Sequence, residues 1–490
     1  MAMSLPYSSL VSITALALIL ISPASGARSR FLLDDDWRFQ LNPPAPECKD
    51  PNATFPIDLD NVQCLGLQQV VASSLSDCIN ACCIDNMCQV YQYCEGGACS
   101  PQGSCWTGLQ NDCQANRPGW ISRGRTSPPP PPPPGSCAVP QCDPRTDDSS
   151  WRLLSLPHDF VVEGTFSPTA DMAHGYLPFG IGWYRKHFST KQFDPRRSVM
   201  YIDFDGIQTA STVWLNGKLL GTHASGYTPS RYFIDSSDLD VGGDNVLAVK
   251  ADAMHPDGWW YDGGGIYRHV WLTVISTPGP YIAPWGVYAP SQVQGTVTWA
   301  SDGTPYADSA LHPSVEVWNS VTTSQSFTLS LAVYDKQGTL IANTSGSGIV
   351  PPRGNVTWTP PAALPMPHAA LWHLVDLPNT PSLYTLVTNL SVGGGNVDMH
   401  TTRFGVRAFH FDADTGFYLN GVSMKILGTA NHQDFAGLGV ALPDHLQSHR
   451  ILKLKDMGVN GWRTAHNPPN VALLDAADEI GFLVWNENHR

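Results

Sequence analysis

From about residue 147 to residue 409 apolar and polar positions alternate with period two, and the stretches that alternate predict strands. In "STVWLNGKLLG" (residues 211–221) the alternation runs either side of Asn216-Gly217, a pair suited to the two positive φ angles of a type I′ hairpin. "GGGIYRHVWLTV" (263–274) reads as a Gly-rich turn feeding another strand, and "FTLSLAVYD" (327–335) and "SLYTLVTNLSV" (382–392) are the clearest strands further on. The span from about 280 to 409 has the length and turn spacing of an immunoglobulin-like sandwich. The period then changes. "VSMKILG" (422–428) predicts a strand, followed by a helix capped by Asp444, with Ile451, Leu454 and Met457 on one face and Gly458 at its end. "VNGWRT" (459–464) predicts the next strand. Asn470 then caps a second helix bearing Leu473, Leu474, Ala477 and Ile480, closed by Gly481, and "FLVW" (482–485) is a third strand. Strand, helix, strand, helix, strand is the opening of a parallel α/β fold.

The N-terminal third has a different texture. An apolar run from about Leu10 to Ile21, followed by small residues at 24–27, predicts a signal peptide over 1–27, with an uncleaved anchor as the alternative because the run lacks Lys or Arg before it. No later segment is long and apolar enough to span a bilayer. "DDDWRFQLN" (34–42) is strand-like. All twelve cysteines follow between Cys48 and Cys142: Cys48, Cys64, Cys78, Cys82, Cys83, Cys88, Cys94, Cys99, Cys105, Cys113, Cys137 and Cys142. An even number behind a signal sequence predicts six intramolecular disulfides, and the spacing lacks the paired C-x-x-C of a zinc module. Within this block "SLSDCINACCIDNMCQVYQYC" (74–94) predicts a helix with Ser76 or Asp77 near its start, Cys78 and Cys82 on one face, then a strand. The block weakly resembles apple or PAN-type modules, which bind proteins or carbohydrates; a stapled insert without a ligand is the alternative. Pro128–Pro134 form a stiff polyproline spacer.

Composition narrows the function. At 490 residues the chain exceeds one ordinary domain, and with 43 Gly, 41 Pro and only 14% charged residues it suits strand-rich domains. A net charge of −14 argues against a nucleic-acid partner. Asn52, Asn343, Asn355 and Asn389 occupy N-x-[ST] triplets, which are glycosylation acceptors in the secretory pathway. Secretion is the expected localisation.

Eight motifs in order carry a resemblance: "LPHDF", "GIGWYRKHF", "VWLNGKLLGTHASGYTPSRYFI", "GGGIYRHVWL", "RFGVRAFHFDADTGFYLNG", "ILGTANHQDFAGLGVALPD", "GWRTAHNPPN" and "LVWNEN". Together they span nearly all of 147–490, and they resemble glycoside hydrolase family 2, most closely its β-galactosidases. The resemblance implies a sugar-binding jelly roll over 28–275 interrupted by the Cys-rich insert and Pro linker at 43–146, an immunoglobulin-like sandwich at 276–407, and the first three strands of an eight-stranded TIM barrel at 408–490. It further implies a retaining hydrolase of terminal β-galactosides, with β-glucuronidase and β-mannosidase as alternatives in the same chemistry. A non-catalytic secreted carbohydrate-binding protein is the alternative of another class.

In such a barrel the chemistry sits at the C-terminal strand ends. Strand one ends near His432, strand two near Arg463 to Asn467, and strand three near Glu487. The family's acid/base and nucleophilic Glu follow strands four and seven, so Glu487 resembles the acidic residue after strand three and no catalytic residue is expected within this chain. The resemblance makes His432 and His466 substrate contacts. Arg463 is suited to holding a carboxylate from a later strand by a bidentate contact, and Asn467, before Pro468-Pro469, to contacting ligand or shaping the turn. Retention needs two carboxyl groups roughly 5 Å apart; Asp434 and Glu487 form the one pair near predicted strand ends, and the strand count speaks against them. Trp259, Trp260 and Tyr261 read either as a sugar platform or as core. No cofactor is required for the chemistry; the family's divalent or monovalent cations are not placed on residues here.

Overall fold

The computed structural model describes residues 28–41, most of 57–124, and 137–488 apart from 138, 169, 255–259, 277 and 375–380. The predicted signal segment, Cys48, Asn52, Cys88, Cys99, Pro128–Pro134 and Trp259 lie outside the described residues, as do the side chains of Cys64, Cys83 and Cys113.

Two antiparallel sheets make the first sandwich. One runs Arg28–Leu32, Val270–Ile275, Val199–Phe204, Ser230–Ile234; the other runs Arg152–Leu154, Trp37–Leu41, Gly180–Ser189, Asp244–Ala253, Ala210–Leu215, Lys218–His223. Alternation along each strand turns Ile202, Phe204, Val213, Leu215, Leu247 and Val249 inward, where they pack with Trp37 and Tyr184 into one core. Asn216 and Gly217 have φ of 50° and 80°, and Leu215 pairs with Lys218, as a two-residue hairpin of primed type requires. Trp37–Leu41 pairs with Arg152–Leu154, so strands from either side of the Cys-rich block close on each other. At the block's exit the buried Arg185 guanidinium donates to the carbonyls of Gln141 and Asp143 at 2.8 and 2.9 Å and to Asp148 at 2.6 Å.

In the block itself, helix Leu75–Ile84 packs on a five-stranded sheet, and Cys78 is bonded to Cys105. Ser76 and Asp77 lie in the first turn of the helix, as expected, and Ser74 caps it, its Oγ accepting from the Asp77 N–H at 3.2 Å. Cys137 is bonded to Cys142, Cys82 and Cys94 are also in disulfides, and no free cysteine occurs among the described residues.

In the second sandwich, Leu340–Val350, Gln325–Tyr334, Leu383–Val392 and Gly395–Gly405 form one sheet, and Leu329, Leu331, Val333, Leu386 and Leu390 bury against Val315 and Val317 opposite.

The last segment holds three parallel strands, Gly428–Asn431, Gly461–Thr464 and Leu483–Trp485, linked by helices Asp444–Asp456 and Val471–Ile480. Three expectations change here. "VSMKILG" is not the first barrel strand: Val422–Met424 pairs back antiparallel on Gly416–Leu419, and the barrel strand starts only at Gly428. Asp444 is not a cap; Pro443 holds that position without a side-chain bond, and the Asp444 carboxylate reaches His269 instead. Met457 follows the last helical residue and is 77% exposed, while Gln447 takes a buried place. Asn470 does cap the second helix, accepting from the Ala472 N–H at 3.0 Å, and Gly481 ends it at φ 76°. Among the described residues no helix is long and apolar enough to cross a membrane.

Candidate active site

Parallel strands point their C-termini the same way, so the residues just after each strand gather at one mouth. Arg463 lies on the second strand, His466 two residues past it, and Glu487 two residues past the third. Arg463 Nε donates to Glu487 Oε1 at 2.5 Å, and the Glu487 N–H donates to Thr464 Oγ1 at 2.9 Å, locking the third strand's end to the second. His466 Nδ1 sits 3.2 Å from both Glu487 Oε2 and Arg463 Nη2. One nitrogen cannot serve both: protonated it donates to Glu487, unprotonated it accepts from Arg463. Burial opposes ionisation of Glu487, yet the Arg463 guanidinium and His466 hold its carboxyl below the usual range. Glu487 is therefore an anion, fitted to accept hydroxyl protons and not to donate one.

His432 follows the first strand. Its ring meets His466 edge to face with centroids 5.6 Å apart, and Arg450 Nη2 pins its carbonyl at 2.6 Å. Asn467 is buried, with its N–H donated to the Thr464 carbonyl at 3.2 Å, a turn-shaping place. All five expected residues thus lie at the ends of the three strands. The charge of Asp434 acts on Tyr261 and Arg450. Arg463 engages Glu487 through one N–H, not bidentately. Among the described residues no group of three His, Cys, Asp or Glu converges to hold a metal ion. Asn343 and Asn355 are exposed on strands, and Asn389 is half-buried on another.

The mouth is braced by side chains from the jelly-roll motifs. Asp159 of "LPHDF" is buried; it accepts from the Val440 N–H at 3.0 Å, Tyr261 O–H at 2.7 Å, Gly264 N–H at 3.0 Å and Val161 N–H at 3.0 Å. It joins the jelly roll to the loop after the first barrel strand. Burial pushes its carboxyl up, against the pull of those donors. Tyr261 is thereby a structural tie, while Trp260 is 47% exposed. Arg268 of "GGGIYRHVWL" donates to the Pro468 carbonyl at 2.9 Å, holding the loop that carries His466 and Asn467. His269 bridges Asp34 at 2.5 Å and Asp444 at 3.1 Å. Each of the three is an ionisable residue in an otherwise largely apolar or glycine-rich motif, which marks it as unusual without revealing what it holds.

Comparison with known proteins agrees with this layout. The profile "Glycosyl hydrolases family 2" matches residues 295–407, "Glycosyl hydrolases family 2, TIM barrel domain" matches 413–490, and "Beta-galactosidase second all-beta domain" matches 164–257. A beta-galactosidase of Bacteroides ovatus is 38% identical over 344 residues, 69% of this chain and 38% of that protein. A beta-glucuronidase of Formosa agariphila is 27% identical over 359 residues, 69% of this chain and 35% of its own length. The solved structure of a family 2 member from Bacteroides cellulosilyticus superposes with a TM-score of 0.65 at 29% identity, covering 72% of this chain and 44% of that one. The chain spans well under half the length of these relatives. With its two β-sandwiches and the first strands of a TIM barrel in this order, the chain belongs to glycosyl hydrolase family 2.

Proposed function

We propose that the complete protein is a secreted, glycosylated O-glycosidase that removes terminal β-galactosyl groups with retention. The observation that carries this reading is the Arg463–Glu487–His466 cluster, with His432 beside it, at the C-terminal ends of three parallel strands. Imidazole and carboxylate groups so placed bind sugar hydroxyls and strengthen those bonds as the oxocarbenium-like state develops. The galactoside is preferred over a glucuronide or mannoside because the Bacteroides ovatus relative, at 38% identity, is named a beta-galactosidase. A β-glucuronide is the second reading, since the Formosa agariphila relative carries that name.

Retention requires a nucleophile and a protonated acid about 5 Å apart. Glu487 is held by Arg463 and His466 as an anion, so it is not the protonated acid of such a pair. Both catalytic carboxyls are therefore assigned to later barrel strands, and the 490 residues alone are expected to show no turnover. The test assays chromogenic β-galactoside, β-glucuronide and β-mannoside with the 490-residue chain and with the protein extended through all eight strands. Only the extended protein should act, fastest on the galactoside. Turnover by the 490-residue chain that Glu487→Gln abolishes would make Glu487 catalytic and end this assignment. Sugar binding without hydrolysis by the extended protein would favour a carbohydrate-binding role.

A further inference from the structure

A cleft of about 560 Å³ that shares no lining residue with the barrel mouth opens between the two sandwiches. Its size lies within the roughly 300–1,000 Å³ of concave ligand sites. The jelly roll contributes Phe233, a residue 46% exposed, and the second sandwich contributes Trp318, with ring centroids 6.0 Å apart and planes inclined by 31°. Tyr281 backs Trp318 edge-on at 6.1 Å, which fixes the indole in place. Arg196, Arg353 and Asn319 are among the lining residues and supply polar groups to its wall. Such a combination of ring faces and polar donors is what a pyranose ring recognises: its C–H face packs on the aromatic, and its hydroxyls take the donors.

One lining residue carries a means of filling the cleft. Asn355 lies directly across the strand pair from Trp318, so their side chains share a face. It begins the triplet Asn355-Val356-Thr357, on the edge strand of its sheet, and is exposed. The two other described acceptors lack such a neighbour. Asn343 faces Ala332, and Asn389 faces Ser330 and Met399. We propose that Asn355 is N-glycosylated and that the first sugars of its glycan seat in this cleft, against Phe233 and Trp318, bridging the two sandwiches. The site goes beyond the hydrolase reading and does not depend on it. Its premise, passage through an oxidising secretory compartment, is consistent with the disulfide state of every described cysteine.

The experiment uses the chain secreted from a eukaryotic host, with glycan occupancy mapped at each acceptor by peptide mass. Native deglycosylation with an N-glycan amidase then gives a release rate for each site. Asn355 should be occupied and released about tenfold more slowly than Asn343 and Asn389, the ratio that about 1.4 kcal/mol of seating gives. Phe233→Ser should bring Asn355 to the rate of the other two, and Phe233→Leu, which keeps apolar volume but removes the ring, should do most of the same. An unmodified Asn355 beside occupied Asn343 or Asn389 overturns the proposal. So does equal release in the unmutated chain, or slow release that neither Phe233 variant relieves. If release at Asn355 is fast and the Asn355→Gln chain binds a free N-acetylglucosamine disaccharide, the cleft belongs to soluble sugar and not to the glycan.

Discussion

Gly439 has φ +60°, and a Cβ built there would fall 2.0 Å from Asp159 Oδ2, the oxygen that accepts from the Val440 N–H. A methyl group at this point must displace either the loop or the carboxylate. Gly437, two residues earlier, also has positive φ (+80°) but open space around its Cβ. Gly437→Ala should therefore cost only the left-handed strain, about 1 kcal/mol, whereas Gly439→Ala adds the loss of a buried hydrogen bond, for a total of about 3 kcal/mol. Chemical denaturation of the two variants side by side checks the difference, and equal costs would mean that the Asp159 contact does not bind the loop. His269 gives a pH signature at the same seam. Hydrogen bonds to Asp34 and then Asp444 raise its pKa to about 10 from an ordinary 6.5, and burial only partly opposes them. Because the folded value is the higher one, the stabilisation is fully present below about pH 6.5 and is lost as pH rises through about 10. Thermal unfolding from pH 6 to 10.5 should show this decline, and His269→Gln should flatten it. If the variant declines as steeply, other groups set the alkaline limit.

The elements were legible wherever a local signal was complete. Asn470 and Gly481 bracket the second barrel helix as cap and left-handed terminator, and the structure begins and ends it there. Asn470→Ala should cost about 1 kcal/mol, read as faster amide exchange in Val471–Ile480 than in Asp444–Asp456; equal exchange in the two would remove the cap from the account. "VSMKILG" misled because apolar content alone does not mark where a strand turns. The informative residues lay just before it, at Asn420-Gly421, whose φ angles of 51° and 79° repeat the Asn216-Gly217 hairpin. Asp444 misled for a different reason: its spacing suits a cap, but its partner His269 is 175 residues away, and no local pattern reports that contact. The five mouth residues were found because strand ends are readable from the helix and strand order. Their braces, Asp159 and Arg268, were not, because what each holds lies in another domain.

At the scale of the whole molecule, the two sandwich cores contain no cysteine among the described residues, and the two described disulfides, Cys78–Cys105 and Cys137–Cys142, lie outside those cores. The sandwiches are tied to each other by Arg28 on the first strand, which meets the buried Asp398 of the second sandwich through Nε at 3.1 Å and Nη2 at 2.8 Å. The jelly roll closes by direct pairing of Trp37–Leu41 with Arg152–Leu154, so its register does not depend on the order of the 110 residues between them. The Cys-rich block is different. Among its described residues the buried clusters are small: Cys78, Cys82, Tyr91 and Cys105 with a few partly buried neighbours, and Cys94 against Trp106. A small core of this kind depends on its cross-links, and a bond closing a 27-residue separation such as Cys78–Cys105 contributes about 3.5 kcal/mol on the chain-entropy account. Reduction should therefore melt the block at low temperature while leaving the sandwiches in a separate, later transition. Cys137–Cys142 is the exception that touches the jelly roll, beside Trp151 and Trp183, so a small shift in the later transition is expected. Calorimetry with and without reductant, paired with thiol titration of the unreduced chain, measures both points. No reactive thiol and two transitions after reduction are expected; one transition shifting as a unit would show that the block supports the sandwiches and is not merely carried by them.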